Sequence, residues 1–98
     1  MFNLIYVTHG SYEEAEKAVS HLLSKQLIKC ANTFPINSQF WWLWKIDKSE
    51  EIVTILKSKK EDWEILLKEI KAIHPYDIPC IIKIEVEANK EYEDWINE

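Results

Sequence analysis

Apolar residues along the chain recur at two spacings, one typical of strands and one typical of helices. The apolar run from Phe2 to Thr8 is closed by Gly10 and Ser11, which predicts a buried first strand. Ser11 and Glu14 fit a capping box, and apolar residues then follow at helical spacing to about Lys25. We therefore expect a strand and an amphipathic helix in the first quarter of the chain.

The middle of the chain predicts a long hairpin. Residues 27–34 form a strand pattern, and Pro35 is expected to bend or end it because proline has no N–H to donate to the ladder. Residues 36–48 form an aromatic strand pattern, residues 47–50 are charged and turn-forming, and residues 52–57 return as an antiparallel strand. The hairpin turn is therefore expected near residues 47–50.

The aromatic stretch at residues 36–48 holds three of the five tryptophans. Strand alternation predicts two sets of side chains on opposite faces: Phe40, Trp42 and Trp44 on one, Trp41 and Leu43 on the other. Neither face would be polar, and three exposed rings of about 150–250 Å² each make an aggregation hazard. We expect a partner subunit to cover one face.

The last third predicts a helix, a strand and a short helix. Apolar residues from Trp63 to Ile73 have helical spacing, and Pro75 ends that helix. Residues 78–87 alternate, with apolar Cys80, Ile82, Ile84 and Val86 expected inside and charged residues facing solvent. A short helix follows over Lys90 to Ile96. The order β-α-β-β-α-β with an added C-terminal helix predicts an α+β, ferredoxin-like fold, and we expect residues 1–98 to form a single domain.

Composition narrows the classes of partner. Twelve basic and seventeen acidic residues give a net charge of −5, which argues against binding nucleic acid or an anionic membrane, since both require a positive field. Cations and small molecules remain the expected partners. A chain of 98 residues buries only about 60% of its unfolded surface, so self-association is a useful source of further burial.

Neither redox, secretory nor catalytic patterns stand out. Cys30 and Cys80 are fifty residues apart without a CxxC spacing, so free thiols are expected. The first apolar run lacks the pattern of a signal peptide and no stretch approaches the ~20 residues of a membrane span, so we expect a cytoplasmic protein. No nucleophile has a base at a recognisable spacing and the single glycine excludes a phosphate loop, so we expect no enzymatic activity.

One motif points to a family. The run His74-Pro75-Tyr76-Asp77-Ile78-Pro79 resembles the H-P-Y-x-x-P signature of the CutA divalent-cation tolerance family. Further matches follow in the family's order along nearly the whole chain: Thr8, Cys30-Ala31-Asn32, Ser38, Phe40, Trp42, Lys45, Glu51, Lys57, Tyr92 and Trp95. The resemblance implies a ferredoxin-like subunit in a tight, PII-like trimer, an association with copper and other divalent metals, and no established reaction.

The resemblance also implies where copies meet. Phe40, Trp42 and Trp95 match family positions near the shared sheets and the C-terminal segment, and we expect Trp41 and Trp44, which are particular to this chain, to join them in the trimer interface. Three positions depart from the family pattern, since Cys80 replaces a glutamate, Trp44 replaces a glycine, and His9-Gly10 replaces alanine-proline. The Trp44 change bears on the hairpin turn, and the other two bear on metal chemistry.

Candidate metal ligands are His74, Cys80 and His9. Imidazole suits copper and zinc, a thiolate suits Cu(I) and zinc, and the end of the first strand neighbours the start of the last in a ferredoxin-like sheet. Without a fourth ligand, binding would be weak or completed by water or another subunit. Structural alternatives are a helix-capping role for His74 and a buried apolar role for Cys80. No cofactor is required on this prediction, and a copper or zinc ion is the candidate ligand.

A second candidate site comprises Lys57, Glu51 and Tyr76, which match family positions in a polar cleft between subunits. Its structural alternative is an interfacial salt bridge and hydrogen bond. Two functional hypotheses follow. The first is a homotrimeric divalent-cation tolerance protein that binds divalent or copper ions weakly, and the second is a PII-like signalling, small-ligand or protein-interaction module that uses the cleft.

Overall fold

One antiparallel sheet organises the chain in the computed structural model, which describes residues 1–98. Its strands are β1 (Phe2–His9), β2 (Cys30–Trp42), β3 (Lys45–Ser58) and β4 (Ile81–Val86), in the order β2-β3-β1-β4. The helices are α1 (Tyr12–Ser24), α2 (Trp63–Ile73) and α3 (Lys90–Ile96), with one 3-10 turn at Lys60–Asp62 before α2. The predicted element order and α+β, ferredoxin-like fold are confirmed.

Helices α1 and α2 cover one face of the sheet. Ser11 begins α1 as predicted, because its Oγ accepts a hydrogen bond from the Glu14 N–H at 3.1 Å. The Glu14 carboxylate accepts from the N–H of Gly10 instead of Ser11, a one-residue shift of the expected capping box. The core between helices and sheet consists of seven side chains, all 5% exposed or less: Ile5, Val7, Leu22, Ile28, Leu56, Leu66 and Ile70.

The opposite face of the sheet, here called the open face, has no helix layer over most of its area. Ladder register places Tyr6 beside Ile82 and Ile55 on this face. Its exposed apolar side chains are Phe34 (38% exposed), Phe40 (39%), Trp42 (39%), Ile82 (48%) and Ile84 (51%). Only the end near Phe2 is covered, where the Phe2 ring lies 6.0 Å from the Tyr92 ring of α3.

The burial predicted for the last strand is therefore wrong for a single chain. Ile82 and Ile84, expected inside, are about half-exposed on the open face. The charged side of β4 faces the helix layer at its edge, where the Lys83 Nζ lies 5.4 Å from the centre of the Trp63 ring. Alternation located two faces correctly but could not tell which one the helices would cover.

The predicted hairpin turn is also wrong. Residues 47–50 lie within β3, and Trp42 pairs with Lys45, so the loop consists only of Leu43 and Trp44. Both have positive φ, 49° and 70°, as a two-residue primed turn requires. Trp44 consequently leaves the strand alternation, does not share a face with Phe40 and Trp42, and is 97% exposed.

The bounds of β2 and β4 differ from the predicted ones, in part because of Pro35 and Pro79. β2 begins at Cys30 instead of Leu27 and continues through Pro35, which stands opposite Ile52. An edge strand tolerates proline because one of its sides has no ladder partner. β4 begins at Ile81, two residues after Pro79, instead of at Ile78.

The turn at Trp44 yields a prediction about stability. A side chain with a Cβ is strained by about 1–2 kcal/mol in the left-handed region, whereas glycine is not. Trp44→Gly should therefore be about 1 kcal/mol more stable to urea unfolding than the matched variant Trp44→Ala, which also removes the ring but keeps the Cβ. Equal stability of the two variants would contradict the strained turn.

Candidate functional site

Three chain segments, β1, β3 and the end of α2, meet at the C-terminal end of β1. His9 ends β1 and is 3% exposed, and its Nε2 lies 2.8 Å from the Oγ1 of buried Thr54 in β3. His74 ends α2, where its backbone N–H donates to the Ile70 carbonyl at 2.9 Å. The His9 and His74 rings stack with centres 5.4 Å apart. The structure therefore brings together the two histidines that the sequence proposed as ligands.

Both ring nitrogens of His74 are engaged. Its Nε2 lies 2.7 Å from the Thr8 carbonyl oxygen, and a carbonyl only accepts, so Nε2 carries the hydrogen. Its Nδ1 accepts from the Tyr76 backbone N–H at 3.2 Å. These partners assign a neutral ring with no free lone pair in the ring plane. The His74 ring therefore bonds backbone groups of β1 and of the segment after α2, and not the free carbonyls of α2 that the helix-capping alternative invoked.

Glu51 and Tyr76 form the second part of the site, on the open-face side. The Tyr76 hydroxyl donates to the Glu51 Oε2 at 2.8 Å, and Glu51 is 8% exposed. Burial, together with the hydrogen bond and charge of Glu51, raises the pKa of Tyr76 well above its usual value. Burial and then the Glu51 charge also raise the pKa of Cys80, which keeps its thiol protonated at neutral pH.

Electrostatics hold His9 neutral. Burial and, after it, the proximity of the His74 ring lower the pKa of His9 from its usual 6.5 to about 4, against the opposing effect of the Glu51 charge. A neutral imidazole is the form that binds metal ions. Nevertheless, no group of three His, Cys, Asp or Glu side chains in one chain is arranged to hold a metal ion. The ligand roles of His74, Cys80 and His9 stay predictions.

Lys57 lies apart from the other two cleft residues within one chain. It is six residues along β3 from Glu51, which corresponds to about 20 Å. Its Nζ lies 3.9 Å from the Cys30 Sγ and 5.2 Å from the centre of the Tyr92 ring. Glu51 and Tyr76 are hydrogen-bonded within one chain, and Lys57 of the same chain does not reach them, so the interfacial salt bridge and hydrogen bond stay a prediction.

The aromatic residues predicted at the trimer interface occupy different surfaces. Phe40 and Trp42 lie on the open face, whereas Trp41 pairs with Ile46 on the opposite side of the hairpin and is 72% exposed. Trp44 is in the turn. Trp95 is 42% exposed on α3, where the Lys29 Nζ lies 5.3 Å from the centre of its ring. No single surface of one chain therefore collects all five.

Sequence reasoning missed two partners. Thr54, which binds His9, has no signal of its own, because only the register of β1 against β3 brings the two together. Glu69 of α2 likewise has no sequence signal as the partner of His21 in α1, whose Nε2 lies 2.6 Å from the Glu69 carboxylate. Both contacts depend on tertiary packing and not on local spacing.

Comparison with known proteins identifies the family. The model of the CutA1 divalent ion tolerance protein family matches residues 3–98. The chain belongs to the CutA divalent-cation tolerance family. The divalent-cation tolerance protein CutA of Archaeoglobus fulgidus is 46% identical over 99 residues, covering 100% of this chain and 97% of that protein. The CutA protein of Pyrococcus horikoshii is 42% identical over 96 residues, covering 97% and 94%.

Solved CutA structures share the fold. The A. fulgidus structure superposes with a TM-score of 0.95 at 45% identity, covering 99% of this chain and 96% of that one. The A. fulgidus protein is described as periplasmic, whereas a cytoplasmic location was predicted for this chain and stays a prediction. None of the helices here has the length and apolarity that crossing a membrane would require. The CutA family is named for tolerance of divalent ions and not for a reaction.

The lowered pKa of His9 predicts that the folded state loses stability as the pH falls. Its pKa is lowered from 6.5 to about 4 in the folded state, so the unfolded chain binds the extra proton as pH falls through this window. Stability should therefore decrease from pH 7 to 4.5 by about 2–3 kcal/mol more in the native protein than in His9→Gln, which cannot titrate. Urea unfolding at the two pH values measures this difference. Identical pH dependence in both proteins would contradict a buried, neutral His9.

Proposed function

We propose that the protein is a homotrimer that binds divalent cations weakly, copper and zinc among them, and that this binding underlies its part in metal tolerance. The observation that carries the proposal is the open face, which bears five exposed apolar side chains. The sheet also ends in a long edge strand, β2, whose outer side has no partner strand. The family resemblance implies three copies, and further copies would cover this face.

The exposed apolar side chains of the open face support the association of several copies of the chain. Phe34, Ile82 and Ile84 lie on one uncovered sheet face, and contiguous apolar surfaces of several hundred Å² mark interaction sites or aggregation hazards. β2 adds a second reason, because its 13 residues form an outer edge whose unpaired N–H and C=O groups can pair with another chain. An assembly of several copies would both cover the apolar open face and pair the free edge of β2.

Local geometry supports weak metal binding. A divalent ion at His74 must displace the Tyr76 N–H or the Thr8 carbonyl, since both ring nitrogens are occupied. A bond to Cys80 requires loss of its proton against a raised pKa. Both the displaced hydrogen bond and the lost proton lower the affinity of the site for the ion. Water or a neighbouring copy would supply the missing ligands of a tetrahedral site.

An alternative function is a PII-like signalling, small-ligand or protein-interaction module. The observation that favours it is a cavity of about 1040 Å³ next to Glu51, Tyr76 and Cys80, at the upper end of the range for ligand sites. This cavity opens on the open face, so neighbouring copies would form its outer wall. The alternative does not depend on any metal ion.

Light scattering tests the assembly. At micromolar concentration we expect a mass three times that of the 11.7 kDa chain. Ile84→Asp should lower that mass, because it places a charge on the open face, whereas Ile65→Asp, a matched change at an exposed position on α2, should not. A monodisperse monomer of the unmodified protein would contradict the proposal.

Calorimetric titration with Cu²⁺ and Zn²⁺ tests the metal site. We expect the double variant His74→Ala, Cys80→Ser to lose most of the binding heat, because it removes an imidazole and a thiol from the site. The matched control His21→Ala, Cys30→Ser removes the same groups elsewhere and should bind as the native protein does. Unchanged heats in the first variant would exclude His74 and Cys80 as ligands.

A further inference from the structure

A second cavity lies between α1 and α2, on the helix-covered side of the molecule. Its volume is about 410 Å³, within the range of about 300–1,000 Å³ that is typical of ligand sites. His9 at the end of β1, Glu14 and Ala18 of α1, and Ile70 and Ile73 of α2 are among the residues that line it. The cavity therefore combines polar groups with aliphatic walls.

This cavity does not depend on how the chains assemble. The assembly proposed above covers the open face and the outer edge of β2, whereas the lining residues belong to the two helices, the end of β1 and the segment after α2. Only Pro75 also lines the cavity next to Glu51. The walls between α1 and α2 are thus the same in one chain and in the proposed trimer.

His9 presents an unused hydrogen-bond donor to this cavity. Its Nε2 lies 2.8 Å from the Oγ1 of Thr54, which is 0% exposed and has no other side-chain hydrogen bond. The buried Thr54 hydroxyl therefore donates to Nε2, and the neutral ring carries its hydrogen on Nδ1. Nδ1 has no partner in the chain, although His9 is only 3% exposed, and it is not among the unpaired polar atoms sealed from solvent. An acceptor in the cavity would satisfy this N–H.

Glu14 supplies an acceptor close to His9. Its Oε2 accepts from the N–H of Gly10, the residue after His9, at 3.1 Å, and none of the ion pairs of the chain includes it. A carboxylate has about four lone-pair sites, so Glu14 can accept further hydrogen bonds. Lys17, which also lines the cavity, is paired with Glu13 at 3.3 Å and its side chain is 77% exposed. The unpaired charge of the cavity is therefore negative.

We propose that this cavity binds a small molecule that carries a primary carboxamide on an apolar body. The carboxamide oxygen accepts from the His9 Nδ1–H, its NH₂ group donates to the Glu14 carboxylate, and the body packs on Ala18, Ile70 and Ile73. A carboxylate in this place would meet the charge of Glu14, and an ammonium group would offer His9 no acceptor. The site is separate from the cleft next to Glu51 and needs no metal ion.

Three probes of similar shape test the assignment by calorimetry on chelator-treated protein: cyclohexanecarboxamide, cyclohexanecarboxylate and cyclohexylmethylammonium. At pH 8 the His9 ring is neutral, since even an unperturbed imidazole has a pKa of about 6.5. The carboxamide should bind at least about fivefold more tightly than either charged probe, because it alone makes both hydrogen bonds.

Two variants separate the two hydrogen bonds. Glu14→Gln keeps an acceptor but removes the charge, and should lose most of the preference for the carboxamide over the carboxylate. Glu16→Gln, at an exposed position of α1 outside the cavity, should retain that preference. His9→Phe removes the donor and should abolish the preference for the carboxamide over the ammonium probe.

Several results would overturn the inference. They are equal binding of the three probes, tightest binding of a charged probe, no binding at all, or a long-range ¹H–¹⁵N spectrum that places the His9 hydrogen on Nε2. A thermal melt checks that His9→Phe folds. If it does not, Ala18→Leu, which fills the cavity, must weaken carboxamide binding while Ala72→Leu, at an exposed position of α2, does not, or the inference falls.

Discussion

Helices α1 and α2 cover one face of the sheet while most of the other face stays open, and most other features of the molecule depend on this arrangement. Packing α1 and α2 against Ile5, Val7 and Leu56 builds a dry core. The same arrangement leaves Ile82 and Ile84 on the open face, where only α3 covers one end. Burying a large aliphatic side chain stabilises by about 1.5–3 kcal/mol, so the proposed assembly would gain substantial stability by covering this face.

The candidate site lies where the two faces meet. His9 belongs to the helix-covered side, whereas Glu51 belongs to the open side, and the segment from His74 to Tyr76 crosses the end of the sheet between them. Within this crossing the His74 backbone N–H donates to the Ile70 carbonyl, and the Tyr76 backbone N–H donates to the His74 ring. Hydrogen bonds therefore link Glu51 to Tyr76, and Tyr76 to His74, across the end of the sheet.

Much of the fold was predictable from local patterns, because helix caps, helical spacing and strand alternation are local effects. The turn at Leu43 and Trp44 was not, since neither residue favours positive φ and the charged residues 47–50 gave a stronger turn signal. Family motifs located Glu51, Tyr76 and His74, but Thr54, the partner of His9, follows from the register of β1 against β3. Register is a tertiary property that spacing along one strand does not contain.

Side-chain accessibility in solution tests the central claim most directly, namely that other copies cover the open face. Hydroxyl-radical footprinting with mass spectrometry compares Phe34, Phe40 and Trp42, each 38–39% exposed in one chain, with Tyr12, which is 51% exposed on α1. The account predicts strong protection of the three open-face residues and ready oxidation of Tyr12 at micromolar concentration. Oxidation of all four in proportion to their exposure in one chain would contradict it.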